Sequence, residues 1–235
     1  MRYERQIGLT GRDGQRRLAA ARVTVVGAGG LGCPALVYLA AAGVGHIRIV
    51  DGDTVSESNL NRQFLYHAGD IGASKAELAG RRLRQMVPEL CVETRACLAD
   101  GDSAPSLCAG SDLVVCCVDS MSARYTVERA ALSQGVPVVD GGVGAADGFV
   151  FAAAPGGPCI GCLTGGLCPE TGTPPQVLGA SAGIIGSMQA RLAVDILLGD
   201  KEQFGWYTAV GFSPFSLTTH PIGVVDNCHI CQKKY

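Results

Sequence analysis

The strongest constraint on this chain lies between residues 23 and 51. Val23-Thr24-Val25-Val26 reads as a buried strand and runs straight into Gly27-Ala28-Gly29-Gly30-Leu31-Gly32, from which a helix continues to about Ala42 and stops at Gly43. A G-x-G-x-x-G turn between a strand and a helix lets backbone N–H groups approach a phosphate, and the helix N-terminus adds partial positive charge. Asp51 closes the next strand, where a ribose hydroxyl needs an acceptor. At this point the reading is a nucleotide, with NAD as its commonest occupant.

The rest of the pattern alternates in the same way. Helices are expected over 1–20, 74–86, 122–134 and 183–198, with strands near 46–50, 91–95, 113–118, 137–140 and 148–153. Strands alternating with helices of about 12 residues give a Rossmann-like, doubly wound and mostly parallel α/β sheet. Hydrophobic residues make up 47% of the chain and charged residues only 17%, as buried parallel strands require. Residues 154–176 read as a loop, and the tail beyond Trp206 as short strands, a C-terminal β extension. One domain is expected over 1–235, its nucleotide-binding part about 1–140 and the remainder about 141–235. A net charge of −2 does not suggest a nucleic-acid binder. No apolar run reaches the about 20 residues that cross a bilayer, and the charged start Met1-Arg2-Tyr3-Glu4-Arg5 is no secretory signal. The cytoplasm is the expected address. There thiols stay reduced, so paired cysteines among the 11 are metal ligands or catalysts more often than disulfides. Cys33, Cys91, Cys116 and Cys117 read as small buried hydrophobes.

Beyond Asp51 the sequence turns polar: Asp51-Gly52-Asp53-Thr54-Val55-Ser56-Glu57-Ser58-Asn59-Leu60-Asn61-Arg62-Gln63-Phe64, then Lys75 near a helix start. Hydride transfer has little use for an arginine and a lysine together. A triphosphate does, because cations neutralise its charge and the charge that grows as pyrophosphate departs. A solvated loop followed by a serine-capped helix is the plain alternative. Cys159-Ile160-Gly161-Cys162 and Cys228-His229-Ile230-Cys231 add two pairs of thiols at a spacing that suits a tetrahedral, structural Zn²⁺ site, which would tie the C-terminal tail to the body of the chain.

Taken in order, Arg2-Tyr3-x-Arg5-Gln6, the glycine turn, Asp51-x-Asp53-x-Val55, Ser58-Asn59-Leu60-Asn61-Arg62-Gln63, Gly72-x-x-Lys75 and the two Cys-x-x-Cys pairs resemble the ThiF/MoeB/HesA family, relatives of the ubiquitin-activating enzymes. The resemblance implies an adenylyltransferase that uses Mg²⁺ and ATP to activate the Gly-Gly carboxylate of a ubiquitin-like sulfur-carrier protein, in thiamine, molybdopterin or related biosynthesis. By similarity, Gly27, Gly29, Gly30 and Gly32 lie along the phosphates and Asp51 holds the ribose. Asn59, Arg62 and Lys75 meet the triphosphate, and Asp53, Ser58, Asn61, Gln63 and Ser120 belong to the same nucleotide site. Asp119 would hold Mg²⁺. Arg5 would act on the γ-phosphate across a homodimer interface. A separate sulfur donor, a cysteine desulfurase or a rhodanese-like protein, is implied as well.

Two positions depart from the family pattern. Asp119-Ser120 stands where relatives commonly have Asp-Asn. Relatives often carry a loop cysteine at a position that falls on Gly172 here, and the nearest thiol is Cys168, four residues earlier. Cys168 is either an acyl or persulfide acceptor or an ordinary loop thiol. Two other readings stand beside the adenylyltransferase: an NAD-dependent oxidoreductase on the same glycine turn, and a non-catalytic scaffold of the same fold.

Overall fold

The computed structural model describes residues 2–167, 176–226 and 228–231. Cys168 and Gly172 lie outside the described residues. In chain order the elements are α1 (Glu4–Ala20), β1 (Arg22–Val26), α2 (Gly32–Ala42), β2 (His46–Val50), α3 (Lys75–Met86), β3 (Cys91–Arg95), α4 (Ala104–Cys108), β4 (Leu113–Cys116), α5 (Met121–Ser133), β5 (Val138–Val143), β6 (Asp147–Ala153), α6 (Ile160–Leu163), α7 (Gly179–Leu197), β7 (Trp206–Phe212) and β8 (Phe215–Pro221). The strands form one sheet in the order β3-β2-β1-β4-β5-β6-β7-β8. From β3 to β5 the pairing is parallel, and from β5 to β8 it is antiparallel.

Alternation along the strands divides the core into two layers. Val23, Val25, Ile47, Ile49, Leu113 and Val115 face a layer built with Leu36 and Leu39 of α2, Leu83 of α3 and Ile185 of α7. Val26, Val50, Val114 and Cys116 face the other layer, with Leu107 of α4, Val127 and Ala131 of α5, and the paired cysteines. The chain therefore winds to one side after β1 and β2 and to the other after β3 and β4. Strand order reverses between β1 and β4, and such sheets bind ligands in the crevice that opens there.

Local chemistry explains the element ends. Gly43 stops α2 in the left-handed region, at φ 92°. Ser74 caps α3 by accepting the Glu77 N–H, and Ser120 caps α5 by accepting the Ala123 N–H. Four details differ from the sequence reading. α7 starts at Gly179 rather than 183; its first turn lies so close to the 61–62 backbone that a Cβ on Gly179 would come 2.5 Å from the Asn61 carbonyl oxygen, which glycine avoids. The loop after residue 154 contains the short α6, and α4 is a further short helix. Cys91 is exposed, not buried, because it opens β3 at the sheet edge, whereas Cys33, Cys116 and Cys117 are buried as expected. Among the described residues no helix is long and apolar enough to cross a membrane.

Candidate active site

A cavity of about 570 Å³ opens at the C-terminal ends of β1, β2 and β4. Its floor is the glycine turn. Gly27 has φ 95°, and a Cβ there would lie 2.5 Å from the Cys117 carbonyl oxygen; a Cβ on Gly32 would lie 2.0 Å from the Gly27 carbonyl oxygen. These two glycines close the turn. Gly29 and Gly30, like Gly27, line the cavity, and they do so beside Gln63 and Arg62. Asp51 braces the turn from β2: its Oδ2 accepts the Ala28 N–H at 2.7 Å and its Oδ1 accepts the Asp53 N–H at 2.8 Å. Burial raises the Asp51 carboxyl above its ordinary range, and those two amides pull it part of the way back.

The cationic wall comes from the polar stretch after β2 and from the start of α3. Lys75 is 5% exposed, and its Nζ pairs with Asp53 Oδ2 at 2.8 Å. Arg62 lies against Gly30 and donates from Nη1 to the Ser58 carbonyl at 3.0 Å and to Asn61 Oδ1 at 2.9 Å. Asn59 Oδ1 accepts the Ser56 N–H at 3.1 Å. Ser58, Asn59 and Asn61 are thus the frame of the turn that carries Arg62, and they do not line the cavity. Gln63 does line it; it is 4% exposed and its Oε1 lacks a hydrogen-bond partner among the described residues.

Asp119 and Ser120 line the opposite wall. Next to them is Arg124, which the sequence reading missed because a charged residue inside an amphipathic helix gives no sign of what its helix covers. Arg124 is 5% exposed, pairs with the fully buried Asp140, and donates to the carbonyls of Val118 and Gly141, both at 2.7 Å. Burial alone would lower its pKa, but Asp140, Cys116, Cys117 and Asp119 together outweigh that and leave it raised, so the guanidinium stays charged. Gln189 of α7, to which the sequence assigned no role, is fully buried and fixes the end of β4 by donating to the Cys116 carbonyl at 2.7 Å.

Arg5 is not brought to this cavity. Gln6 donates to the Ala42 carbonyl at 2.7 Å and Tyr3 lies beside Gly43, so α1 begins at the C-terminal end of α2. The N-terminal end of α2 is the one at the glycine turn, and an 11-residue helix is roughly 16 Å long. Arg5 therefore sits at the far end of the helix whose start faces the cavity.

The four paired cysteines converge elsewhere. Sγ–Sγ distances are 3.8 Å for Cys159–Cys162, 3.4 Å for Cys159–Cys228 and 3.7 Å for Cys162–Cys231. All four sulfurs lie within 4.8 Å of one another. A tetrahedral site with Zn–S bonds of about 2.3 Å has sulfur–sulfur edges of about 3.8 Å, so the cluster fits that ion. Against the desolvation of the site, the backbone N–H groups of Cys231 and Ile230 hold the Cys228 thiol below its ordinary range. This favours the thiolate at Cys228, whereas burial and the nearby Glu128 push the Cys159 thiol up, which a bound cation would have to offset.

The ThiF family model matches residues 3–226. The chain is 37% identical over 241 residues to the SAMP-activating enzyme E1 of Haloferax volcanii, covering 98% of this chain and 88% of that protein. It is 39% identical over 207 residues to the molybdopterin-synthase adenylyltransferase of Salmonella typhimurium, covering 84% of this chain and 82% of that one. It is 40% identical over 214 residues to the sulfur carrier protein adenylyltransferase of Thermus thermophilus, covering 84% and 78%. The solved structure of E. coli MccB with MccA-N7isoASN has the same fold, with a TM-score of 0.87 at 20% identity over 99% of this chain and 74% of that one. A match running from residue 3 to residue 226, with relatives this similar over most of their own lengths, makes the chain a member of the ThiF family.

Proposed function

We propose that the cavity binds Mg-ATP and that the chain adenylates the C-terminal Gly-Gly carboxylate of a ubiquitin-like sulfur-carrier protein. One observation carries this reading: Arg62 and Lys75 stand together beyond the glycine turn, in the same cavity as Asp119. In the reaction a carboxylate oxygen of the carrier attacks the α-phosphorus, the bond to the bridging oxygen of the β-phosphate breaks, and the electron pair leaves with pyrophosphate. A carboxylate is a poor nucleophile toward so anionic a centre, so charge cancellation and positioning supply the rate. Lys75 and Arg62 neutralise the departing phosphates, and the N–H groups at Gly29 and Gly30 hold them in place. Asp119 would hold Mg²⁺, which would supply further cancellation of phosphate charge. Asp51 offers the remaining acceptor capacity of its two oxygens to the ribose.

Arg5 supports the reading only in a second copy of the chain. Its distance from its own cavity is what a homodimer with Arg5 donated across the interface requires. Cys159, Cys162, Cys228 and Cys231 would hold zinc as a closed, structural cross-link between the segment after β6 and the C-terminal tail, with no position left for chemistry. We place the enzyme in the cytoplasm, where those thiols stay reduced. A cysteine desulfurase or rhodanese-like protein would then supply sulfur to the activated carrier. Cys168 retains the two readings given above. Mass spectrometry of a Gly-Gly-terminated carrier after incubation with the protein and Mg-ATP tests the proposal. Added AMP is the expected result, and an unmodified carrier across the Gly-Gly carriers of the source genome counts against it. The oxidoreductase reading predicts instead that a nicotinamide dinucleotide binds more tightly than ATP.

A further inference from the structure

Glu128 lies in the second turn of α5 and is 0% exposed. Burying a carboxyl group costs several kcal/mol unless it is put to use, yet neither the cavity nor the fold so far accounts for this one. Its Oε2 accepts the backbone N–H of Ile160 at 2.8 Å, and its Oε1 has no hydrogen-bond partner among the described residues. Ile160 follows Cys159 directly and begins α6, the turn that presents Cys159 and Cys162 together. Glu128 thus grips the first cysteine pair by its backbone. The second pair also touches α5: the Tyr125 ring meets the His229 ring edge-on, with centroids 5.5 Å apart. The Tyr125 hydroxyl is hydrogen-bonded with Thr164 Oγ1 at 2.6 Å and donates to the Leu167 carbonyl.

The same helix is a wall of the nucleotide cavity. Ser120 caps it, Asp119 precedes the cap, and Arg124 ties it to the carbonyls of Val118 and Gly141. Arg124 and Glu128 are four residues apart, which puts them on one face with a rise of about 6 Å between them. A shift of α5 at the cysteine end must therefore register at Val118, Asp119 and Ser120. We infer that Glu128 is a positioning residue that locks the first cysteine pair onto α5, so that metal occupancy of the cysteine cluster and nucleotide occupancy of the cavity are coupled through that helix. This rests on the preceding reading of the cluster as a zinc site and of the cavity as an ATP site.

The test uses the full zinc-loaded chain as wild type, Glu128→Gln and Glu128→Leu. Zinc affinity is measured by competition with a chromophoric chelator, with and without a saturating non-hydrolysable ATP analogue and Mg²⁺. Analogue affinity is measured calorimetrically on loaded and zinc-stripped wild type. In wild type the analogue should tighten zinc binding by about fivefold or more, and stripping zinc should weaken the analogue by the same factor, since coupling between binding sites is reciprocal. Glu128→Gln keeps an acceptor for the Ile160 N–H and should behave as wild type. Glu128→Leu should weaken zinc about 10- to 100-fold and lose the protection by the analogue. Zinc affinity unchanged in Glu128→Leu, or protection that persists in it, overturns the inference. Should that variant not fold, wild type still decides, because the absence of coupling there overturns it equally. A chain that binds no zinc or no analogue overturns the parent reading and this one with it. A chain that binds both independently overturns only this one.

Discussion

Replacing Lys75, whose side chain is 7% exposed, by Met removes an ammonium 2.8 Å from Asp53 Oδ2 while leaving an unbranched side chain in its place. Two consequences can be worked out separately. For stability, Asp53 is 64% exposed and regains water once its partner is gone. The desolvation that Lys75 itself suffers is relieved at the same time. Opposing terms of this kind leave a change within about 1 kcal/mol, of either sign. For catalysis, a unit charge about 4 Å from another contributes about 4 kcal/mol at an effective dielectric constant of about 20. Asp53 already offsets part of that field, so about 3 kcal/mol remains for the departing pyrophosphate. That is a loss of roughly a hundredfold to a thousandfold in rate. Carrier-dependent exchange of labelled pyrophosphate into ATP measures the rate, and urea unfolding of the same preparation measures the stability. The expected signature is a collapsed exchange rate at a nearly unchanged urea midpoint. Exchange within threefold of wild type refutes the reasoning. So does a stability loss large enough to explain the lost rate, since Lys75 would then be holding the fold rather than the phosphates.

Three further outcomes follow from the geometry. Gly32→Ala sets a Cβ 2.0 Å from the Gly27 carbonyl oxygen and should cost more than about 3 kcal/mol, whereas Gly183→Ala, inside α7 with nothing within 4 Å, should gain about 0.5 to 1 kcal/mol; urea midpoints of the two variants check the contrast, and equal effects would contradict it. Burial pushes the Cys108 thiol from 9.0 up to about 11, with Arg48 opposing, so between those values it ionises only in the unfolded chain and the stability it contributes is lost as pH rises. Cys108→Ala should therefore flatten the alkaline fall in stability by up to about 1.4 kcal/mol per pH unit, and a slope equal to wild type between pH 9 and 11 would exclude it. Chains carrying Arg5→Ala and chains carrying Arg62→Ala, each inactive alone, should recover about a quarter of wild-type exchange when mixed as a two-fold dimer, since half the dimers are mixed and each has one intact site. A mixture with proven heterodimers and no recovery removes Arg5 from the partner's cavity.

Legibility in the sequence follows the range of the interaction that places each residue. The glycine turn, Asp51 and the Ser74 cap were readable because their geometry is settled within a few residues of chain. Gly43 ends α2 for a backbone reason that any alignment of propensities contains. Arg62 and Lys75 were readable as a pair only through their order in a longer motif, since spacing alone left a solvated loop open. The β5–β6 turn from parallel to antiparallel pairing was only partly readable, because a strand's partner is set by what returns to it, not by its own composition. Arg124 and Glu128 could not be read at all, and Gln189 could be read only as part of the family-like run Gly183–Ala190, without a role. Each lies in a helix whose remaining residues satisfy an ordinary helical pattern, and each acquires its meaning from a strand or turn far away in sequence: Asp140, Ile160 and Cys116.

The same reasoning separates two kinds of cysteine in one chain. Cys116 and Cys117 end an apolar strand and are fully buried, where desolvation first and the nearby Asp140 second drive their thiols well above the ordinary range and keep them unreactive. Cys228 is also buried, yet it receives backbone N–H groups from its own turn and is held low. The turn does not act alike at both pairs: at Cys159 burial and the nearby Glu128 outweigh the backbone N–H of Cys162 and push that thiol up. With two residues between its cysteines, the second turn places the N–H groups of Ile230 and Cys231 on the Cys228 sulfur while presenting Cys231 to the same cluster. Gly161 shows how tight that arrangement is: a Cβ there would lie 2.9 Å from both Cys228 Sγ and Ile230 Cγ1, so any larger residue would force the two pairs to shift. What the spacing could not show is that the closed cluster would be mounted on the helix that also walls the nucleotide cavity. That placement makes the chain's two chemically distinct centres answerable to one another through α5.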